Sequence, residues 1–281
     1  MIQPAPAKLN LALHVTGRRA DGYHLLDSLV AFAAIGDHVS LQTGPAALTV
    51  DGPFAEQVPT DDSNLCLRAA RAMGAEASIH LTKNLPVASG IGGGSADAAA
   101  VMRGLAAQGW SLPDNPAALG ADIPVCLASR PLRMRGVGER LDAVPPLPAL
   151  PLVLINPGQP LATPPVFAAL SRRDNPGLPD PDWHDAESLI DWLARCRNDL
   201  QPAAISLVPV IAEVLAALDR AGARLARMSG SGATCFGIFD SPDAARAAAD
   251  ALTRPGWWTV ATELAPLPAP GYISTKTGRK D

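Results

Sequence analysis

Residues 86–100 read PVASGIGGGSADAAA. Gly90, Gly92, Gly93 and Gly94 lead into Ser95, and a run dominated by alanine follows. Just upstream, residues 77–83 alternate, with Ile79 and Leu81 on one face and His80 and Thr82 on the other, which is the pattern of a strand. Residues 95–104 are rich in helix formers, and Asp97 falls in the first turn, where the macrodipole favours an acid. The predicted order is strand, glycine loop, helix N-terminus. Glycines let backbone N–H groups converge on an anion, and a helix end adds roughly half a positive charge. A polyphosphate suits such a cradle, although a tight turn for close helix–sheet packing would use the same residues. No Gly-Lys-Ser/Thr ending is present, so the loop is not of the Walker type. The dinucleotide fingerprint fails as well, because Ser95 stands where its third glycine would be.

Outward from the loop, residues 7–15 alternate too. Leu9, Leu11, Leu13 and Val15 take one face, and Lys8, Asn10, Ala12 and His14 the other. A strand that buries the leucines turns Lys8 and Asn10 together to the opposite side, either into a site or onto a solvated sheet face. Asp21-Gly22 marks a turn before Tyr23-His24. Asp62-Ser63-Asn64-Leu65 opens a predicted helix that runs to about Met73, with Asp62 or Ser63 as its N-cap. Asp122 stands in LGADIPVC, where it could cap an element. The proline-rich residues 144–151 suggest a boundary between residues 1–148 and 149–281. Beyond it come a buried strand at 152–155, a helix at about 203–221 stopped by Gly222, and a second glycine loop, SGSGATCFGIF. There Ser229 to Ala233 run straight into a strand, as an anion-binding nest or a tight strand entry. Ser241-Pro242 caps the next helix, and a last strand is expected at 257–264. The polar tail at 275–281 is expected to fray.

A chain of 281 residues suits two domains of ordinary size or one large one, and 48% apolar with 18% charged residues provides a sizeable core. A net charge of −4 without a basic block argues against nucleic-acid binding. Cys66, Cys126, Cys196 and Cys235 sit far apart with no metal-ligand spacing, as buried reduced thiols of a cytoplasmic protein would. Lys8 and Asn10 interrupt any N-terminal apolar segment, and the apolar run at 150–155 is too short to span a bilayer. A small-molecule ligand is expected, with neither a nucleic acid nor a membrane as partner.

The loop from Pro86 to Ser95 resembles the Pro-x-x-x-Gly-Ile/Leu-Gly-x-x-Ser motif of the GHMP kinases, a superfamily of small-molecule kinases. The opening PAKLNLALHVTGRRADGYHLLDSL, the LGADIP element and the turn from Arg135 to Glu139 are similar to one branch of it. That branch phosphorylates the 2-hydroxyl of 4-diphosphocytidyl-2-C-methyl-D-erythritol in the non-mevalonate isoprenoid pathway. The resemblance implies an α+β fold of two domains, the first like ribosomal protein S5 domain 2 and the second a ferredoxin-like sandwich. It implies ATP and Mg²⁺ as cofactors and a cytidyl sugar alcohol as substrate. Asp122 would be the catalytic base, with Lys8 beside it to keep it ionised and to stabilise the transferred group. ATP would lie against Pro86, Gly90, Gly92, Gly93, Gly94 and Ser95, whose hydroxyl can ligate a phosphate or the metal. Asn64, of an Asp-Asn-Leu element, would sit near the adenine or merely cap a helix, and Lys83 would lie near the nucleotide. Tyr23 and Phe167 would sandwich the cytosine, His24 would read its edge, and Asn10 and Thr163 would complete the substrate side. Gly230 and Gly232 match the third motif of the superfamily, which closes against the phosphate loop. Arg197-Asn198-Asp199-Leu200 matches a further signature of structural character. The segment between Trp110 and Leu119 is several residues shorter than the helix usual there. The alternatives are a homoserine- or mevalonate-type kinase, against which Tyr23-His24 and Thr163 with Phe167 argue, and a non-catalytic nucleotide-binding protein. Lys8 and Asp122 argue against the latter, since a binder needs no base.

Overall fold

A computed structural model describes residues 2–265, so the tail at 275–281 lies outside the described residues. In the first half β1 (Ile2–Arg18) and β2 (His24–Thr43) form a long antiparallel hairpin, followed by β3 (Ala47–Asp51) and α1 (Leu65–Ala72). Next come β4 (Ala77–Thr82), α2 (Gly93–Ala106), α3 (Ile123–Ala128), β5 (Leu132–Gly136) and β6 (Arg140–Asp142). The sheet runs β3-β4-β2-β5-β6, with β1 on the other side of β2 and β3 parallel to β4.

The second half contains β7 (Pro151–Asn156), α4 (Thr163–Ala168), α5 (Ala186–Ala194), α6 (Gln201–Leu207) and α7 (Val210–Arg220). It closes with β8 (Leu225–Met228), β9 (Cys235–Ile238), α8 (Pro242–Leu252) and β10 (Trp258–Glu263). The four strands are antiparallel in the order β10-β7-β9-β8. The fourth strand in sequence lies beside the first, and the third separates the first from the second. That order, with helices between the first and second and between the third and fourth strands, is the ferredoxin-like arrangement.

The two halves share a core. Leu9 and Leu11 of β1, Leu29 and Ala31 of β2, and Ile91 pack with Leu152, Leu154, Trp192 and Phe236. Arg227 of β8 bolts them further by donating to the carbonyls of Leu11 (2.7 Å), Leu193 (2.8 Å) and Cys196 (2.8 Å). Burial without a nearby acid lowers this guanidinium to about 10. The four cysteines are free and buried.

Four local expectations need correction. The alternation of β1 does not persist, because β-bulges fall between Pro6 and Lys8, Asn10 and Ala12, and Val15 and Gly17. Each extra residue exchanges the faces of the strand beyond it. Leu9 and Leu11 therefore enter the shared core, whereas Leu13 and Val15 pack in a different one, and Leu13 joins Lys8 and Asn10 along one cleft. The N-cap of α1 is Asn64, whose Oδ1 accepts the N–H of Cys66 at 2.8 Å, not Asp62 or Ser63. The helix expected at about 203–221 is two helices, α6 and α7, broken at Val208-Pro209. Proline lacks the N–H that would continue the ladder and pushes the preceding residue out of helical geometry; Val208 lies at φ −134°, ψ 83°. Finally, α2 starts at Gly93, so Asp97 lies past its first turn, buried and ion-paired rather than at the dipole end. The short segment between Trp110 and Leu119 holds only a 3-10 turn at Pro116–Ala118.

Candidate active site

The glycine loop, the second glycine loop and the inner faces of β1 and β2 enclose a cleft of about 590 Å³. The chain places Lys8 on the cleft face of β1, and its N–H donates to the Ile91 carbonyl at 2.9 Å, which ties the loop to the strand. A Cβ on Gly92 would lie 3.1 Å from Cβ of Lys8, so the loop crosses directly over that side chain. Lys8 Nζ donates to Asp122 Oδ2 at 2.8 Å; the lysine side chain is 5% exposed and the aspartate 32%. Asp122 occupies the N-cap position of α3 but makes no capping bond, which leaves its carboxylate to Lys8 and the cleft. The two residues come together across 114 positions of sequence.

In α2 the first helical bond runs from the N–H of Ala96 to Gly92 O at 2.8 Å. The N–H groups of Gly93, Gly94 and Ser95 therefore have no intrahelical acceptor. These three residues line the cleft, as do Pro86, Gly90 and Gly92. Gly90 and Gly92 have φ of +76° and +64°, where a side chain would be strained. Gly90 also faces the second loop: a Cβ there would meet Gly232 O at 2.5 Å and Ser229 O at 2.7 Å. Ser229 Oγ donates to Gly90 O at 3.1 Å, and Thr234 N–H to Ser89 O at 3.1 Å, so the two glycine loops are locked edge to edge. Gly230 and Ser231 line the cleft, whereas a Cβ on Gly232 would point at Met228 and Leu161. Gly232 thus permits packing of its loop and does not face the cleft.

Lys83 and Asn64 line the same cleft, but each is already engaged. Asn64 caps α1 and donates through Nδ2 to Pro59 O at 2.8 Å. Lys83 Nζ donates to Asp37 Oδ2 at 2.5 Å and Asp97 Oδ2 at 2.8 Å, in full burial. Burial alone would lower the lysine, but the two carboxylates outweigh it and raise it. Burial likewise pushes the Asp97 carboxyl up to about 7 against the pull of Lys83.

Further along the cleft Asn10 Nδ2 donates to Ser28 Oγ at 2.8 Å, and Asn10 N–H donates to Ser229 Oγ at 3.1 Å. Its Oδ1 is buried with no protein partner. Ser28, Leu26 and His24 alternate along one face of β2, so the row from Asn10 to His24 extends about 13 Å beyond Ser28. At its far end the His24 and Phe167 rings stack at 4.8 Å and 25°. The observed ring pair is therefore His24 on Phe167, while Tyr23 is 65% exposed. Burial, then Arg18 and Arg173, lower the His24 proton affinity, and its buried Nε2 has no protein partner. Thr163 Oγ1 and Ser231 Oγ are 2.8 Å apart.

Several further residues shape the cleft, of which the sequence marked only Asn198, as part of a structural signature. Asn198 Nδ2 donates to Met228 O and Gly230 O, both at 2.8 Å, and so fixes the second loop. Leu13 and Leu26 form an apolar wall, and Asp37 anchors the glycine loop. For Asn198 the signal was its RNDL element; for Asp37 and Leu13 no local pattern distinguished them.

Residues 64–127 match the family described as GHMP kinases N terminal domain, and residues 169–256 match GHMP kinases C terminal. Fold and cleft together define a small-molecule kinase of the GHMP class. A protein of Paracoccus denitrificans named 4-diphosphocytidyl-2-C-methyl-D-erythritol kinase is 62% identical over 268 residues, covering 94% of this chain and 97% of its own. A protein of the same name from Mesorhizobium japonicum is 53% identical over 277 residues, covering 92% and 94%. A crystal structure of 4-(cytidine 5'-diphospho)-2C-methyl-D-erythritol kinase superposes with a TM-score of 0.78 at 37% identity, covering 95% of this chain and 100% of that one. The chain belongs to the 4-diphosphocytidyl-2-C-methyl-D-erythritol kinase family. The homoserine kinase of Cytophaga hutchinsonii shares the fold alone, with a TM-score of 0.60 at 19% identity over 94% of this chain and 93% of its own.

Proposed function

We propose that the chain transfers the γ-phosphoryl group of ATP to the 2-hydroxyl of 4-diphosphocytidyl-2-C-methyl-D-erythritol, with Asp122 as base and Lys8 as its cationic partner. The observation that carries this reading is the Lys8–Asp122 pair, 2.8 Å apart at the floor of a cleft bordered by unpaired helix-terminal amides. Phosphoryl transfer needs positioning and charge stabilisation more than covalent chemistry. The amides of Gly93, Gly94 and Ser95 receive phosphate oxygens, and Pro86, Gly90 and Gly92 give the loop the shape to do so. Asp122 takes the proton of the acceptor hydroxyl, a role that typically contributes about 10²–10⁴-fold. Lys8 orients that carboxylate and faces the negative charge that develops on the transferred group.

Among the described residues no group of three or more His, Cys, Asp and Glu could hold a metal ion. Mg²⁺ keeps its waters and binds largely through substrate phosphates, so its binding does not require such a group. The Ser95 hydroxyl would hold it, and the ion supplies charge neutralisation on those phosphates. Asn64 and Lys83 border the ATP side. On the other side Asn10, Thr163 and Gly230 face the erythritol, and Gly232 sets the loop that carries Gly230. Tyr23, His24 and Phe167 receive the cytosine; His24, neutral at physiological pH, presents one donor and one acceptor to a base edge. We place the boundary between domains at 148/149 and the enzyme in the cytoplasm, in keeping with four free, buried thiols. No helix among the described residues is long and apolar enough to cross a membrane.

The test is a turnover assay with ATP, offering the cytidyl substrate, homoserine and mevalonate side by side. Phosphorylation of the cytidyl substrate alone is expected. Preference for either of the others, or no turnover with intact ATP binding, would refute the assignment.

A further inference from the structure

We propose that Asp37, Lys83 and Asp97 form a clasp that joins the two ends of the glycine loop, and that they act as positioning residues for ATP rather than as contacts to it. The loop leaves β4 at Lys83 and enters α2 at Gly93. At its entry Asp37 Oδ1 accepts the N–H groups of Asn84 (2.6 Å) and Leu85 (2.8 Å), while Asn84 Nδ2 donates to Gly36 O (3.2 Å). Past its exit Asp97 projects from α2. Lys83 Nζ bridges the two carboxylates at 2.5 and 2.8 Å, so one ammonium closes the circuit from β2 through the loop root to α2. None of the three side chains is more than 4% exposed. The ammonium lies under the loop's last turn, since a Cβ on Gly93 would come within 2.9 Å of it.

An ammonium has three donors, and two are committed here. Drawing it towards a phosphate would leave two carboxylates buried without a cation, the arrangement proteins tolerate least. The geometry therefore assigns Lys83 to the loop. This rests on the reading of the loop as the ATP cradle, so binding of ATP is measured directly by calorimetry, without the second substrate, on the full chain.

Asp97→Ala removes the α2 arm yet leaves Lys83 and Asp37 balanced in charge, so the fold is retained. ATP affinity is expected to fall by about tenfold or more, the loss of one charged hydrogen bond. The kcat at saturating ATP should change by no more than about threefold, because no group touching the reacting atoms is lost. Amide hydrogen exchange over residues 89–95 should accelerate. Asp97→Asn, whose amide oxygen still accepts from Nζ, should recover most of the affinity. Removing a negative charge near a polyanion would by itself tighten ATP, so a loss reads on loop shape. Affinity for Asp97→Ala equal to or tighter than that of the unaltered protein would overturn the clasp and leave Lys83 as a direct ligand. No ATP binding by the unaltered protein would overturn the cradle itself and the clasp with it. Should Asp97→Ala not fold, Asp97→Ser takes its place with the same outcomes.

Discussion

Gly90→Ala probes the contact on which the cleft depends. Gly90 sits at φ +76°, and a Cβ there would press on three backbone atoms of the second loop, namely Gly232 O (2.5 Å), Ser229 O (2.7 Å) and Gly232 N (2.8 Å). Left-handed backbone costs a non-glycine residue roughly 1–2 kcal/mol. Forcing a methyl group into packed surroundings typically costs about 1–3 kcal/mol more. Backbone cannot rotate away as a side chain can, so the two loops must part, lengthening the Ser229–Gly90 and Thr234–Ser89 bonds. The sum is about 2–5 kcal/mol, a large share of the 5–15 kcal/mol that holds most proteins folded. Gly74 supplies the control. It has φ +70° with nothing within 4 Å of its Cβ position, so Gly74→Ala carries the backbone strain alone. Thermal unfolding of the two variants should therefore differ by about 1–3 kcal/mol, with Gly90→Ala the weaker, and turnover should fall in Gly90→Ala only. If the two variants melt together and both stay active, the loops are not locked as described.

Three further outcomes are expected. Asp122→Asn should lower kcat by about 10²–10⁴-fold while ATP and the cytidyl substrate still bind; Lys8→Ala should also cripple turnover, and the double variant should be little worse than the poorer single, whereas additive losses would separate the two roles. Phe167→Ala should raise KM for the cytidyl substrate in proportion to lost stacking of about 1–3 kcal/mol, with ATP affinity untouched; the reverse pattern would place the ring in the wrong pocket. His14 gives a pH dependence. Burial, then Arg197, lowers its pKa, and its Nε2 accepts the N–H of Arg197 at 3.2 Å while Nδ1 lies 3.0 Å from Pro176 O. The unfolded chain thus binds the proton more tightly, so stability is full above about pH 6.5 and declines as pH falls through it. Unfolding midpoints measured from about pH 7.5 to 5 should show this slope, and His14→Asn should reduce it; an unchanged slope would assign it to other groups.

The strand, loop and helix around residues 77–106 were legible because each signal is local. Alternation over Ile79 and Leu81, consecutive glycines and an alanine run constrain backbone geometry within a few residues of themselves. The same holds for the Ser241 cap, whose Oγ accepts the N–H of Ala244 at 3.1 Å, with Pro242 opening the helix. The break at Pro209 was written in the sequence as well, but the stripe of Ile211, Val214 and Leu218 masked it.

What the chain alone determined, then, was the order of most of its elements and the family to which it belongs; it also offered the residues proposed here for phosphoryl transfer. What only the tertiary structure decided was which of them meet. The bulge between Asn10 and Ala12 turns Leu13 into the cleft, and a bulge is settled by the pairing of β1 with β2, not by β1 itself. Gly90 reads as a phosphate-loop glycine, and only the fold adds Ser229 and Gly232, 139 positions or more away, as the backbone it packs against. Lys83 reads as a lone cation beside the loop, and only the fold brings Asp37 and Asp97 onto its ammonium. Charge acts over a few ångströms in space, and sequence distance carries no information about which opposite charge lies within that range.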